Sequence, residues 1–104
     1  MPRSAMAIAA VGGHRAVLTF SGELEAGTLR ELEEQLLDPR LRKAREWVLE
    51  MGELTHLDLA CAYALLRAAT EGPEAVALTV RGARRHVQRT LHHAGVDAVA
   101  VIEG

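Results

Sequence analysis

Glu46-Trp47-Val48-Leu49-Glu50-Met51, then Gly52-Glu53-Leu54-Thr55-His56-Leu57-Asp58, then Leu59-Ala60-Cys61-Ala62-Tyr63-Ala64-Leu65-Leu66 is the stretch that decides the fold. The first six residues are rich in β-formers and read as a strand. The next seven mix glycine, threonine, histidine and acids, and read as a loop. Asp58 stands where a helix N-cap is needed, since its carboxylate can accept from the first unpaired backbone N–H groups. The helix after it, about 59–70, is apolar on nearly every side and should be largely buried. Strand, loop and buried helix in succession form the first part of a βαβ unit, which places a parallel strand further on.

The flanks agree with that placement. Upstream, Leu29, Leu32, Leu36 and Leu37 recur at helical spacing among Glu31, Glu33 and Glu34, so a helix is predicted from Gly27 or Thr28 to Asp38-Pro39. Before it, residues 6–11 and 15–20 are apolar and separated by Gly12-Gly13-His14, the pattern of a tight hairpin. Ser21-Gly22 reads as the break after the second strand. Downstream, Gly72-Pro73 ends the apolar helix, and Ala75 to Val80 reads as a strand. Ala83 to Ala94 reads as a helix with Val87, Leu91 and Ala94 inward and Gly95 just past its end. Ala98 to Ile102 is a short last strand. The order is β-β-α-β-α-β-α-β, an α/β fold with a mixed sheet, in a single domain over 1–104. Leu32, Leu36, Leu65, Leu66, Val87 and Leu91 are expected to share one core.

Composition removes several function classes. The formal net charge of −2 gives no general attraction to nucleic acid or to an anionic membrane. No apolar run approaches the roughly 20 residues of a membrane span, and the seven apolar residues from Ala5 to Val11 read as a strand rather than a signal core. Cys61 is the single cysteine, so nothing calls for an oxidising compartment, and a cytoplasmic setting is expected. Lys43 is the only lysine against eleven arginines, which reads as the codon bias of a GC-rich, bacterial genome. Enzyme signatures are missing: there is no Walker lysine motif, no Gly-x-Ser-x-Gly and no Cys-x-x-Cys. Ser21, His56 and Asp58 could be drawn as a triad, but their spacing does not ask for one. His86 and His93 lie two turns apart, too far to share a metal unaided. No enzyme activity, cofactor or metal is expected.

Several segments taken in order resemble the STAS family, the sulfate-transporter and anti-sigma-factor-antagonist domains. Phe20-Ser21-Gly22-Glu23-Leu24-Glu25 is similar to the family's strand followed by Gly-x-Leu-Asp. Val48 to Asp58 is similar to its strand and loop ending in aspartate. Ala64-Leu65-Leu66 falls where its alanine-leucine-leucine falls, and Ala94-Gly95-Val96-Asp97 is similar to its closing Gly-Leu-Asp. The resemblance covers roughly residues 6–102. It implies a STAS-like sheet with packed helices. It also implies a regulatory module for signalling and transcription regulation that works by protein–protein interaction with an anti-sigma factor that is also a serine kinase, or with a sigma-regulatory scaffold. In such modules the serine directly after the aspartate accepts phosphate, which ends binding. This chain departs at that point: Leu59 replaces the serine, Ala60 follows it, and Cys61 replaces the family's glycine. No hydroxyl is present at the motif. The resemblance also allows an alternative, a small accessory subunit of a membrane lipid-transport complex.

The partner-binding residues expected are Asp58, Leu59, Ala60, Glu23 and Thr55. Asp58 is equally a plain N-cap, whereas an apolar residue such as Leu59 beside an apolar helix is more often simply core. Thr55 is a candidate substitute phosphoacceptor and Cys61 a candidate redox switch, although a loop hydroxyl and a buried thiol account for both. Arg81, Arg84, Arg85 and Arg89 read as a solvated helix face. No nucleic acid and no membrane insertion are expected, and the sequence leaves room for a homo-oligomer.

Overall fold

The computed structural model describes residues 4–103. Two antiparallel strands open the chain, β1 (Ser4–Val11) and β2 (Arg15–Leu24), joined by a turn in which Gly12 and Gly13 both take positive φ. A single 3-10 turn (Ala26–Thr28) leads into α1 (Leu29–Gln35), and a second short helix, α2 (Pro39–Lys43), follows. Then come β3 (Glu46–Leu57), α3 (Leu59–Thr70), β4 (Ala77–Arg81), α4 (Arg85–Ala94) and β5 (Ala100–Glu103). The sheet runs in chain order, β1-β2-β3-β4-β5, with every pair after the hairpin parallel. This is the mixed α/β arrangement expected from the sequence.

Alternation along the strands sends Ala16, Leu18 and Phe20 of β2, Trp47, Leu49 and Met51 of β3, and Leu78 and Val80 of β4 to one face. There they join Leu32, Leu36, Leu41, Leu65, Val87 and Leu91 from all four helices and the Leu36 turn in one core. The opposite face carries Ala9, Val17, Val48, Thr79 and Val101 in a single cross-strand row. Val48, in the central strand, is still only 2 % exposed, because its neighbours in the sheet shield it.

Four expectations need correction. Ser21-Gly22 does not end β2, and residues 52–57 are not a loop. The two strands stay paired to Leu24 and Leu57, because β3 absorbs two extra residues as bulges between Glu50 and His56. Asp38-Pro39 does not simply end a helix: α1 stops at Gln35, and Pro39 starts α2 with Asp38 as its cap, the carboxylate accepting from Arg40 N–H at 2.8 Å. Leu37 consequently leaves the helical stripe and is 64 % exposed. Leu66 is only half-buried, at the border of the core.

The outer edge of the sheet is guarded. Backbone carbonyls of β1 that point away from β2 accept from side chains of the α1–α2 segment, Ile8 from Arg40 Nη1 at 2.8 Å and Met6 from Gln35 Nε2 at 3.5 Å. Arg40 is itself held by Asp38, Nε to Oδ1 at 3.0 Å and Nη2 to Oδ2 at 2.9 Å. An exposed strand edge is an invitation to pair with another chain, and these donors occupy part of it.

Candidate functional site

The parallel strands β2 and β3 end together, with Glu23 beside His56 and Leu24 beside Leu57. This places Glu23, Thr55, Asp58, Leu59 and Ala60 at one end of the sheet, where α3 begins. Asp58 occupies the N-cap position with extended backbone, but its side chain makes no capping hydrogen bond. The carboxylate instead accepts from Ala26 N–H at 2.8 Å and meets His56 Nε2 at 2.6 Å. The cap expected from the sequence is thus replaced by a tie between three segments: the end of β3, the start of α3 and the 3-10 turn before α1. The His56 contact and the Ala26 N–H together hold Asp58 below the usual carboxylate range, so it is ionised at neutral pH.

Leu59 is 43 % exposed, and Tyr63, one turn on, is 41 % exposed. Residues four apart on a helix lie side by side, so the two form one apolar patch beside Asp58. Leu59 is therefore not a core residue. Ala60, the next residue, is half-buried. Thr55 is exposed, and its hydroxyl donates to Gly22 O at 2.9 Å across the bulged ends of β3 and β2. Glu23 is exposed at the same end of the sheet.

Cys61 lies within the core, its Sγ at 3.5 Å from Glu25 O. Burial, and then the nearby charges of Asp58, Glu33 and Glu25, push the thiol up to about 11. A thiol so placed stays protonated and nucleophilically inert at neutral pH, which argues against the redox switch. Under native conditions at pH 8, iodoacetamide should leave Cys61 unmodified over hours while labelling it within minutes in denaturant. Rapid native labelling would show that the thiol is accessible after all.

Three contributors escaped the sequence reading: His56 as the partner of Asp58, Tyr63 as part of the exposed patch, and His86, whose Nε2 lies 2.7 Å from Thr55 O. Tyr63 alone had a readable signal, its four-residue spacing from Leu59. Ser21 lies beside Glu53 in register, and among the described residues no hydrogen bond joins it to His56, so the paper triad does not assemble. No group of three or more metal-ligating side chains occurs among the described residues, and no described helix is long and apolar enough to cross a membrane.

Comparison with known proteins adds the following. A family model described as "Mlab, STAS domain" matches residues 9–103. Among solved structures, the chain is similar to an anti-sigma factor antagonist from Mycobacterium paratuberculosis, with a TM-score of 0.80 and 18 % identity, covering 96 % of this chain and 85 % of that one. It is also similar to the anti-sigma factor antagonist SpoIIAA in its unphosphorylated form, with a TM-score of 0.68 and 12 % identity over 94 % and 87 %. A third likeness is to SLC26A9, with a TM-score of 0.64 and 16 % identity, covering 85 % of this chain but 18 % of that one. At these identities the likeness is one of fold. No curated protein matches by sequence.

Proposed function

From the premise that this chain belongs to the STAS domain family, we propose that it is a regulatory protein-binding module of the anti-sigma-factor-antagonist kind, acting by association rather than catalysis. The observation that carries this reading is the Leu59–Tyr63 patch, two large apolar side chains left in solvent at the start of α3, beside Asp58. Exposed apolar clusters with a polar surround are characteristic of protein interfaces. Asp58, Leu59, Ala60, Glu23 and Thr55 would line the contact, the first of them also bracing the helix end. The partner would be an anti-sigma factor with serine kinase activity, or a sigma-regulatory scaffold, in a bacterial cytoplasm. The chain would act as one domain over 1–104.

Without a hydroxyl at Leu59 or Ala60, phosphate at the motif is chemically excluded. Association would then be governed by abundance, a third protein or another signal. Thr55 offers a hydroxyl nearby, already engaged with Gly22 O.

Leu59→Asp tests the surface. It should weaken binding to a co-encoded anti-sigma factor by about 10- to 100-fold, roughly 1.4–2.8 kcal/mol, since it sets a charge against an apolar contact. It should change unfolding stability by no more than about 0.5 kcal/mol, because Leu59 is exposed and an acid suits the first turn of a helix. Unchanged binding would move the interface elsewhere, and wholesale unfolding would return Leu59 to the core.

A second reading has its own support. The family description names Mlab, and the fold recurs as a fraction of the much longer SLC26A9 chain. We therefore keep a small accessory subunit of a membrane lipid-transport complex as the alternative. Permease and ATPase genes beside this one would favour it; a sigma factor or an ATPase-fold kinase gene would favour the first.

A further inference from the structure

We propose that the surface beside Leu59 takes an acidic amphipathic helix of the protein partner, seated along the α3–α4 side with its apolar residues on α3 and its carboxylates on the arginines of α4. This rests on the docking role given above to Leu59 and adds the chemistry of what docks there.

At 100° per residue, α3 has three directions. Cys61, Ala62, Leu65 and Ala69 point into the core. Ala64, Arg67 and Ala68 turn toward α1, where Arg67 Nη2 meets Glu33 Oε2 at 3.2 Å. Leu59, Tyr63 and Leu66 turn the other way, toward α4, which packs along α3 on that side. Their spacing of four and then three residues covers two turns, about 10 Å of helix at 1.5 Å per residue. That is the footprint of apolar anchors on a docked helix.

The side of α4 nearest to them is basic. His86, at 2.7 Å from Thr55 O, marks the edge of α4 that lies against the end of β3 and so against the start of α3. Arg89 and His93 continue that edge three and seven residues on, and Arg85 stands one turn before Arg89. From Gly82 to Val96 the chain has no acidic residue. Arg15, Arg40, Arg45, Arg67 and Arg81 each have a carboxylate partner; among the described residues Arg30, Arg42, Arg84, Arg85 and Arg89 have none, and the last three stand together at and on α4. Glu33, on the α1 side, is paired with Arg67, and Asp58, at the first end of the apolar patch, is engaged by Ala26 N–H and His56, so the carboxylates of the docked helix lie toward α4 and away from Asp58. An apolar wall next to a cationic wall unmatched within the molecule is complementary to a helix with one apolar stripe and flanking carboxylates. The apolar half of the surface, Leu59, Tyr63 and Leu66, calls for side-chain anchors, which an amphipathic protein helix supplies and a nucleic acid or lipid headgroup does not.

The test uses the isotopically labelled full chain and two synthetic helical peptides of about four turns, with leucines spaced by four and three residues. One carries glutamate on both flanks of the stripe and the other lysine. The glutamate peptide should shift the amide signals of Leu59–Leu66 and Arg85–His93, with affinity falling at least about tenfold as salt is raised well above roughly 0.1 M. Arg85→Glu with Arg89→Glu should reverse the preference in favour of the lysine peptide. Equal binding of both peptides at Leu59 and Tyr63 would overturn the charge assignment while leaving the docking surface standing. Shifts confined to other parts of the molecule would overturn both. Stronger shifts of the same residues by an RNA oligonucleotide or by phosphatidylglycerol vesicles would overturn the assignment to a protein helix.

Discussion

Phe20→Ala should lower the unfolding free energy by about 3–5 kcal/mol, the cost of removing a buried aromatic ring. Phe20 is fully buried, sits beside Met6 across the hairpin, and lies at the first bulge of β3, where one residue of β2 faces two of its neighbour. The cavity would open where the sheet is least regular, between β2 and the helices. Total stability for a domain of this size is about 5–15 kcal/mol, so the loss is a large fraction of the whole. Urea titration checks it as a drop in midpoint with little change in slope. Phe20→Leu, which keeps most of the volume, should cost less than about 1.5 kcal/mol. A loss below about 1 kcal/mol for the alanine variant would mean that the ring is not at the centre of the core.

Gly82→Ala should be the second severe change, at about 2–4 kcal/mol from left-handed backbone strain and overpacking combined. Gly82 ends β4 with φ of +73°, and a Cβ there would stand 3.2 Å from Gly52 Cα and 3.3 Å from Gly52 N. Both obstacles are backbone, in the bulged part of β3, and cannot swing aside. Gly12→Ala provides the control. Its φ is +66°, yet nothing lies within 4 Å of the added carbon, so it should cost only the strain, about 1–2 kcal/mol. Thermal unfolding of the two variants separates the terms. Equal losses would show that β3 yields freely at Gly52.

The comparison of these two glycines also indicates what a sequence can and cannot display. Gly12-Gly13 announces a hairpin, because the requirement is local: two adjacent residues must take positive φ. Gly82 stands alone after a strand and gives no such signal, because the close approach it allows is to Gly52, thirty residues away in the chain. The same division runs through the fold. The apolar spacing of α3 and α4 and the αL role of Gly95 are local and legible. The extension of β2 through Ser21-Gly22 is not, because pairing with a bulged β3 overrides two residues of poor strand propensity. At the candidate site, the position of Asp58 before an apolar helix was readable. That its carboxylate would reach Ala26 and His56 instead of its own helix depends on where β2 ends relative to β3. Leu59 shows the limit most directly. An apolar residue opening an apolar helix looks like core, and only the way α3 packs, with Cys61, Ala62 and Leu65 inward, leaves Leu59 in water.

The ion pair that steadies the α1–α2 segment also ties the cover of the sheet edge to pH. Arg40 can block Ile8 O only while Asp38 holds its guanidinium in place. That pairing with Arg40 keeps Asp38 ionised down to about pH 2. In any milder medium the flank of the eight-residue β1 stays partly blocked. In stronger acid the clasp loses its anchor, and the Ile8 carbonyl should be freed while Gln35 still covers Met6 O. The ionised form of a single carboxylate thus decides whether this stretch of the sheet margin is closed to another strand.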